Sequence, residues 1–130
     1  MSTLEATKNR TTIDVANKLV DLCREGKNVE AINELYAENI LSLEPTGSRA
    51  ERTEGKSAVL DKTIQWLSMV ETIHSAKISN PICTGNHFSC VMEMDVTLKE
   101  MGRIPMNEIC VFEVQNGKII FEEFFYTITH

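Results

Sequence analysis

The sequence has little of what most cofactor and metal sites are built from. Its histidines number only three, His74, His87 and His130, and they lie far apart. Its four cysteines, Cys23, Cys83, Cys90 and Cys110, form no C-x-x-C pair and no closely spaced pair with histidine, so no zinc site is expected. No G-x-G-x-x-G, G-x-x-x-x-G-K-[ST] or H-E-x-x-H occurs, and no serine sits in G-x-S-x-G. Nucleotide and metal cofactors are therefore not indicated. Basic charge is also short, with 13 Lys and Arg against 19 Asp and Glu and a net charge of -6. The basic residues of "GSRAERTEGK" are interleaved with acids, which reads as a solvated loop, so no nucleic-acid partner is expected. Apolar runs are only a few residues long, and "MSTLEATKNR" has no apolar signal core. The expectation is no membrane span, reduced thiols and a cytoplasmic location.

What is present suits one globular domain. Hydrophobic residues make up 42% and charged residues 25% of 130 positions. A chain of this size buries roughly two-thirds of its unfolded surface, enough for a core without metal or disulfides. Residues 1–10 read as a flexible arm, and 11–130 as the domain. "TTIDVANKLVDLCREG" has helical spacing at Ile13, Ala16, Val20 and Cys23, with Leu19 beside them. Thr11 and Asp14 are placed to cap its start, and Gly26 to stop it. "NVEAINELYAE" reads as a second helix capped by Asn28, with Val29, Ile32, Leu35 and Tyr36 inward. "NILSLEP" reads as a strand and "TGSRAERTEG" as a loop. "KSAVLDKTIQWLSMVE" reads as a third helix with Leu60, Ile64, Leu67 and Val70 on one face and Trp66 near its edge.

From residue 73 the period becomes two. "IHSAKISNPIC", "FSCVMEMDVTL", "IPMNEICVFEV" and "KIIFEEFFYTI" read as four consecutive antiparallel strands. Asn116-Gly117 is a type I′ hairpin signal, and Pro81 marks an edge or bulge. Helices first and a meander last predict an α+β domain.

One acid stands out within "PMNEICVFEVQNGK". With no bulge, the Asn-Gly turn pairs Val114 with Ile119, Phe112 with Phe121, Cys110 with Glu123 and Glu108 with Phe125. One face then collects Met106, Cys110, Phe112, Val114, Ile119, Phe121 and Phe125, together with Glu108, Glu123 and Thr127. It is the more apolar face and is placed inward. The other face carries enough apolar residues to serve as a dimer interface. Glu108 is then either an acid held among apolar side chains, with a raised pKa useful for proton transfer, or a rim glutamate paired with lysine or water. Its neighbour on the preceding strand depends on the register across "KEMGR". One parity brings Asp95 beside it and the other brings Met94, with Met92 near Cys110. A tight turn at Gly85-Asn86 puts His74 on the face of Asp95 and Thr97. The sharp hypothesis is therefore a cavity shared by His74, Asp95 and Glu108. Ligand-binding candidates are Tyr36, Glu44, Trp66, Met92, Met106, Phe112, Glu123 and Phe125, with Tyr36 and Trp66 equally readable as core packing.

The order helix, helix, "ELYAENILSLEP", "EGKSAVLDKTIQWL", then a meander ending "VFEVQNGKIIFEEFFY", resembles the nuclear transport factor 2-like superfamily. Within it, the chain resembles the SnoaL-like, polyketide cyclase-like branch, over roughly residues 11 to 128. The resemblance implies a cystatin-like, cone-shaped fold with three helices on a strongly bent, mostly antiparallel sheet and a pocket at its wide end. It also implies a homodimer through the outer sheet face and a small apolar ligand. Members include cyclases, isomerases and dehydratases working by acid and base, and others that only bind ligands or proteins. Fold alone does not choose between these.

Overall fold

The first helix starts as its sequence dictates. In the computed structural model, which describes residues 10–128, the Asp14 backbone N–H donates to Thr11 Oγ1 at 3.1 Å and the Thr11 N–H to Asp14 Oδ2 at 3.0 Å. This reciprocal capping box opens α1, Thr12–Arg24, and the charged Asp14 also suits the positive end of the helix. Gly26, with φ of 75°, stops the helix without a Cβ penalty. All but the last residue of the N-terminal arm expected at 1–10 falls outside the described residues.

The remaining elements are α2 (Asn28–Leu35), β1 (Tyr36–Leu43), β2 (Arg52–Glu54), α3 (Lys56–Met69), β3 (Val70–Ile78), β4 (Ile82–Thr84), β5 (His87–Leu98), β6 (Gly102–Gln115) and β7 (Lys118–Phe125). Their strands form one sheet in the order β2-β1-β7-β6-β5-β3, with β4 also on β5. β1 runs parallel to β7 and the other pairings are antiparallel. The α+β reading with helices on a mostly antiparallel sheet is what the chain adopts.

Several local expectations change. The second helix ends at Leu35 because Tyr36 is already extended, at φ −90° and ψ 138°, and pairs with Ile119 of β7. Asn28 is the first helical residue rather than the cap, and Lys27, which stands at the cap, makes no side-chain capping bond. The loop after Pro45 contains the short edge strand β2. In α3 only Val59 is fully buried. Ile64 and Leu67 are 52% and 37% exposed, so the helix turns Val59 and Lys62 inward instead of the expected stripe.

The core sits between the helices and one face of the sheet. Val15, Ala16 and Leu19 of α1, Ala31, Ile32 and Leu35 of α2, and Val59 of α3 meet Ile40, Phe88, Cys90, Cys110, Phe112, Val114 and Ile119. Phe112 stacks on Phe88 with ring centroids 4.6 Å apart. Asn116 and Gly117 adopt the positive φ values, 52° and 74°, that their I′ turn requires.

Candidate active site

Two registers decide what faces the core. Across "KEMGR", Leu98 pairs with Gly102, which sets Met92 opposite Glu108, Cys90 opposite Cys110 and Asp95 opposite Pro105. This is the parity that turns Asp95 away from Glu108, moved two residues further along than expected. Across the Asn-Gly turn, Val114 pairs with Ile119, but Glu113 then pairs with Phe121. Ile120 is an extra residue, a bulge, and every β7 side chain beyond it changes face. Phe112 therefore meets Glu122 and Cys110 meets Phe124.

The sequence-derived candidates consequently divide. Glu108 is inward and half-buried, with Met92 opposite it and Met106 two residues away on the same face. His74 and Asp95 share the outer face. His74 Nε2 lies 2.7 Å from Thr97 Oγ1, and Asp95 is held by two Arg103 N–H groups at 3.0 and 2.8 Å. The three do not converge. The Arg103 guanidinium that hydrogen-bonds Asp95 holds its carboxyl below the ordinary range. Glu123 and Phe125 also turn outward because of the bulge, and Phe125 is 48% exposed. Phe112 is core packing. Trp66 is half-buried on α3.

Tyr36 and Glu44 instead belong to a network whose other members the sequence reading did not single out. Glu122 is only 1% exposed. It accepts from the Tyr36 hydroxyl and from Ser42 Oγ at 2.7 Å. Ser42 in turn accepts from Lys62 Nζ at 2.8 Å, and the same ammonium donates to Glu44 Oε2 at 2.8 Å. Tyr126 Oη donates to Glu44 Oε1 at 2.7 Å. The ammonium also lies 5.5 Å from the Phe124 ring centroid. Ser42 was within reach of the sequence, since period two from Glu44 puts it on the same face. Glu122 and Tyr126 were hidden by the bulge.

Burial sets the electrostatics. Glu108 is pushed up from 4.5 to about 7, chiefly by desolvation. The Cys110 thiol, donating to its Oε1 at 3.6 Å, and Lys62 pull the other way, while the charges of Glu44 and Glu122 add to the rise. Glu122 is raised by burial against the opposing hydrogen bonds of Tyr36 and Ser42. Three carboxyls thus share one lysine. A proton on one of them is the economical way to keep the cluster near neutral.

Access follows from packing. Along the inner rows of β5 and β6, Phe88, Cys90, Cys110 and Phe112 are buried, as are Val96 and Leu98 further on. Met92, Met94, Met106 and Glu108 between them are only half-buried. α3 packs chiefly on α2, β1 and β2, which leaves this middle stretch partly covered. Lys62 and Glu44 side chains are each 20% exposed, so the network also reaches solvent. A cleft of about 530 Å³ near Arg10, Asn86 and Asn116 has no acidic side chain in its lining. It lies near Val114, six residues along β6 from Glu108, or about 20 Å. Among the described residues, no group of three His, Cys, Asp or Glu is arranged to hold a metal ion.

The fold and this inner face define an α+β domain of the cystatin-like class. The chain belongs to the SnoaL-like domain family, whose model matches residues 10–126. It is similar to a protein of Mesorhizobium loti classed with the SnoaL-like polyketide cyclases. That likeness has 30% identity and a TM-score of 0.83, and covers 90% of this chain and 100% of that one. A protein of Bacillus subtilis classed as an isomerase shares the fold at 17% identity and a TM-score of 0.69, over 91% of this chain and 90% of that one. So does a protein of Catenulispora acidiphila with a ketosteroid isomerase-like fold, in complex with trimethylamine, at 14% identity and a TM-score of 0.70, over 91% of this chain and 88% of that one. No curated protein sequence matches the chain.

Proposed function

We propose that the protein is an acid–base catalyst for small apolar molecules, with Glu108 as the group that moves the proton. The observation that carries this reading is a half-buried carboxyl set among Met92, Met106 and Cys110, where burial pushes its pKa up to about 7. Such a group is divided between acid and base at neutral pH, which suits both removal and return of a proton. In the simplest step, the Glu108 carboxylate takes a proton from carbon next to a carbonyl. The substrate becomes an enolate and Glu108 a neutral acid. Returning the proton to another carbon completes an isomerisation without any co-reactant. The isomerase and polyketide-cyclase classes of two structural neighbours accord with this chemistry.

The test is hydrogen exchange in deuterated buffer with a panel of cyclic enones and 1,3-diketones, followed by NMR. Wild type is expected to accelerate exchange, with a rate that rises as pH passes through about 7. Glu108→Gln should lose on the order of a hundredfold or more. Equal rates for the two proteins, or none above buffer, would reject the assignment.

The reading includes a homodimer through the outer sheet face. Val91, Ile109 and Phe125 form one cross-strand row there, exposed by 37%, 52% and 48%. Glu93, two residues from Val91, and Glu123, two residues from Phe125, flank this row on the same face, a polar rim beside an apolar centre as at an interface. Sedimentation at tens of micromolar should give a dimer for wild type and a monomer for Ile109→Asp. A monomeric wild type would remove this part. Four free thiols support a cytoplasmic location; among the described residues no helix is long and apolar enough to cross a membrane.

A further inference from the structure

We infer that Lys62 is the residue that binds the ligand, through an acceptor oxygen, and that this site takes apolar molecules carrying a carbonyl, enolate or phenolate oxygen. The argument begins with donor counting. An ammonium has three N–H donors and no acceptor. Ser42 Oγ and Glu44 Oε2, each at 2.8 Å, occupy two of them. The third has no protein acceptor among the described residues.

The two occupied donors fix where the third points. Ser42 is itself anchored by Glu122, and Glu44 by Tyr126. The ammonium is therefore gripped by Ser42 of β1 and by Glu44 just beyond it, over the ring of Phe124 on β7. A flexible lysine head normally loses much rotamer freedom on binding, and here that ordering is already done. With its side chain 20% exposed, Lys62 remains reachable. A charge-assisted hydrogen bond from such a group to an oxyanion is stronger than one between neutral partners. The cluster's surplus of carboxyls disfavours an anion that cannot reach the ammonium, so the oxygen must sit on Lys62 itself.

The inference rests on the reading of Glu108 only for its catalytic consequence: an enolate formed by Glu108 would place its negative oxygen on Lys62. Binding is measured separately, with no turnover, using 4-nitrophenol as probe, because its absorbance distinguishes phenol from phenolate. Across a pH range spanning the probe's own titration, wild type should bind the phenolate form. Lys62→Met should weaken that binding roughly tenfold or more. Lys62→Arg, which keeps the charge and supports the fold, should retain part of it. Glu108→Gln should bind the probe at least as well, since it removes a nearby negative charge.

If Lys62→Met folds and binds phenolate as wild type does, the lysine only ties β1 to α3 and the inference fails, whatever Glu108 does. Failure of wild type to bind the phenolate also overturns it. If Lys62→Met loses the probe while Glu108→Gln leaves proton exchange intact, the lysine assignment stands and the catalytic role of Glu108 falls.

Discussion

Glu122→Ala is expected to destabilise the fold by about 3 kcal/mol or more, in the range seen when one partner of a buried charged network is removed. The substitution strips the acceptor that the buried Tyr36 hydroxyl and the Ser42 hydroxyl have among the described residues. It also leaves Lys62 facing two carboxyls, Glu44 and Glu108, in place of three and opens a cavity in the β1–β7 seam. Tyr36→Phe is the graded control. It removes one donor but leaves the carboxylate bonded to Ser42, and should cost about 1–2 kcal/mol. Urea unfolding midpoints of the two variants check the order. A Glu122→Ala protein as stable as wild type would show that the network is incidental to the fold. The same variant has an electrostatic consequence. The Glu122 charge helps to raise Glu108, so its loss should move Glu108 toward lower pH.

The second large effect is a pH dependence of stability that belongs to Glu108. Its folded pKa lies near 7, above the ordinary 4.5. Between those values the unfolded chain has released this proton and the folded chain still holds it. The folded state therefore binds more protons, and stability falls as pH rises from about 4.5 to about 7. Above that range the penalty is constant, on the order of 3 kcal/mol before allowance for partial exposure. Glu108→Gln has no proton to lose. It should match wild type near pH 4.5 and exceed it by about 1–3 kcal/mol at pH 8. The difference between the two proteins isolates Glu108 from Glu122, whose raised pKa tilts both curves in the same direction. Parallel curves would mean that Glu108 is fully hydrated.

How much of this could be read from residues alone depends on whether the local signal survives tertiary pairing. Thr11 and Asp14 act within one helical turn, so their capping box was legible. Asn116-Gly117 fixed its own turn for the same reason. Glu108 was legible because the alternation from Met106 to Val114 runs unbroken along β6, and position parity suffices to place a side chain on a face. Glu122 and Glu123 are adjacent acids whose faces are exchanged by the bulge at Ile120. No glycine or proline advertises that bulge, so parity counted from the turn assigned both wrongly. Asp95 and His74 were correctly grouped with Thr97, but on the outer face, because Lys99–Met101 forms a three-residue connection closed by Gly102, whose φ is 78°. Lys62 reads as a surface lysine on any helical wheel. Only the contact of α3 with β1, a long-range event, turns it toward Ser42 and Glu44.

The central claim concerns one proton, and carboxyl carbon NMR on protein labelled at glutamate side chains measures it directly. The resonance assigned by its disappearance in Glu108→Gln should titrate with a midpoint at about 7. A midpoint near 4.5 would place the carboxyl in bulk-like water and contradict both the site and the chemistry drawn from it.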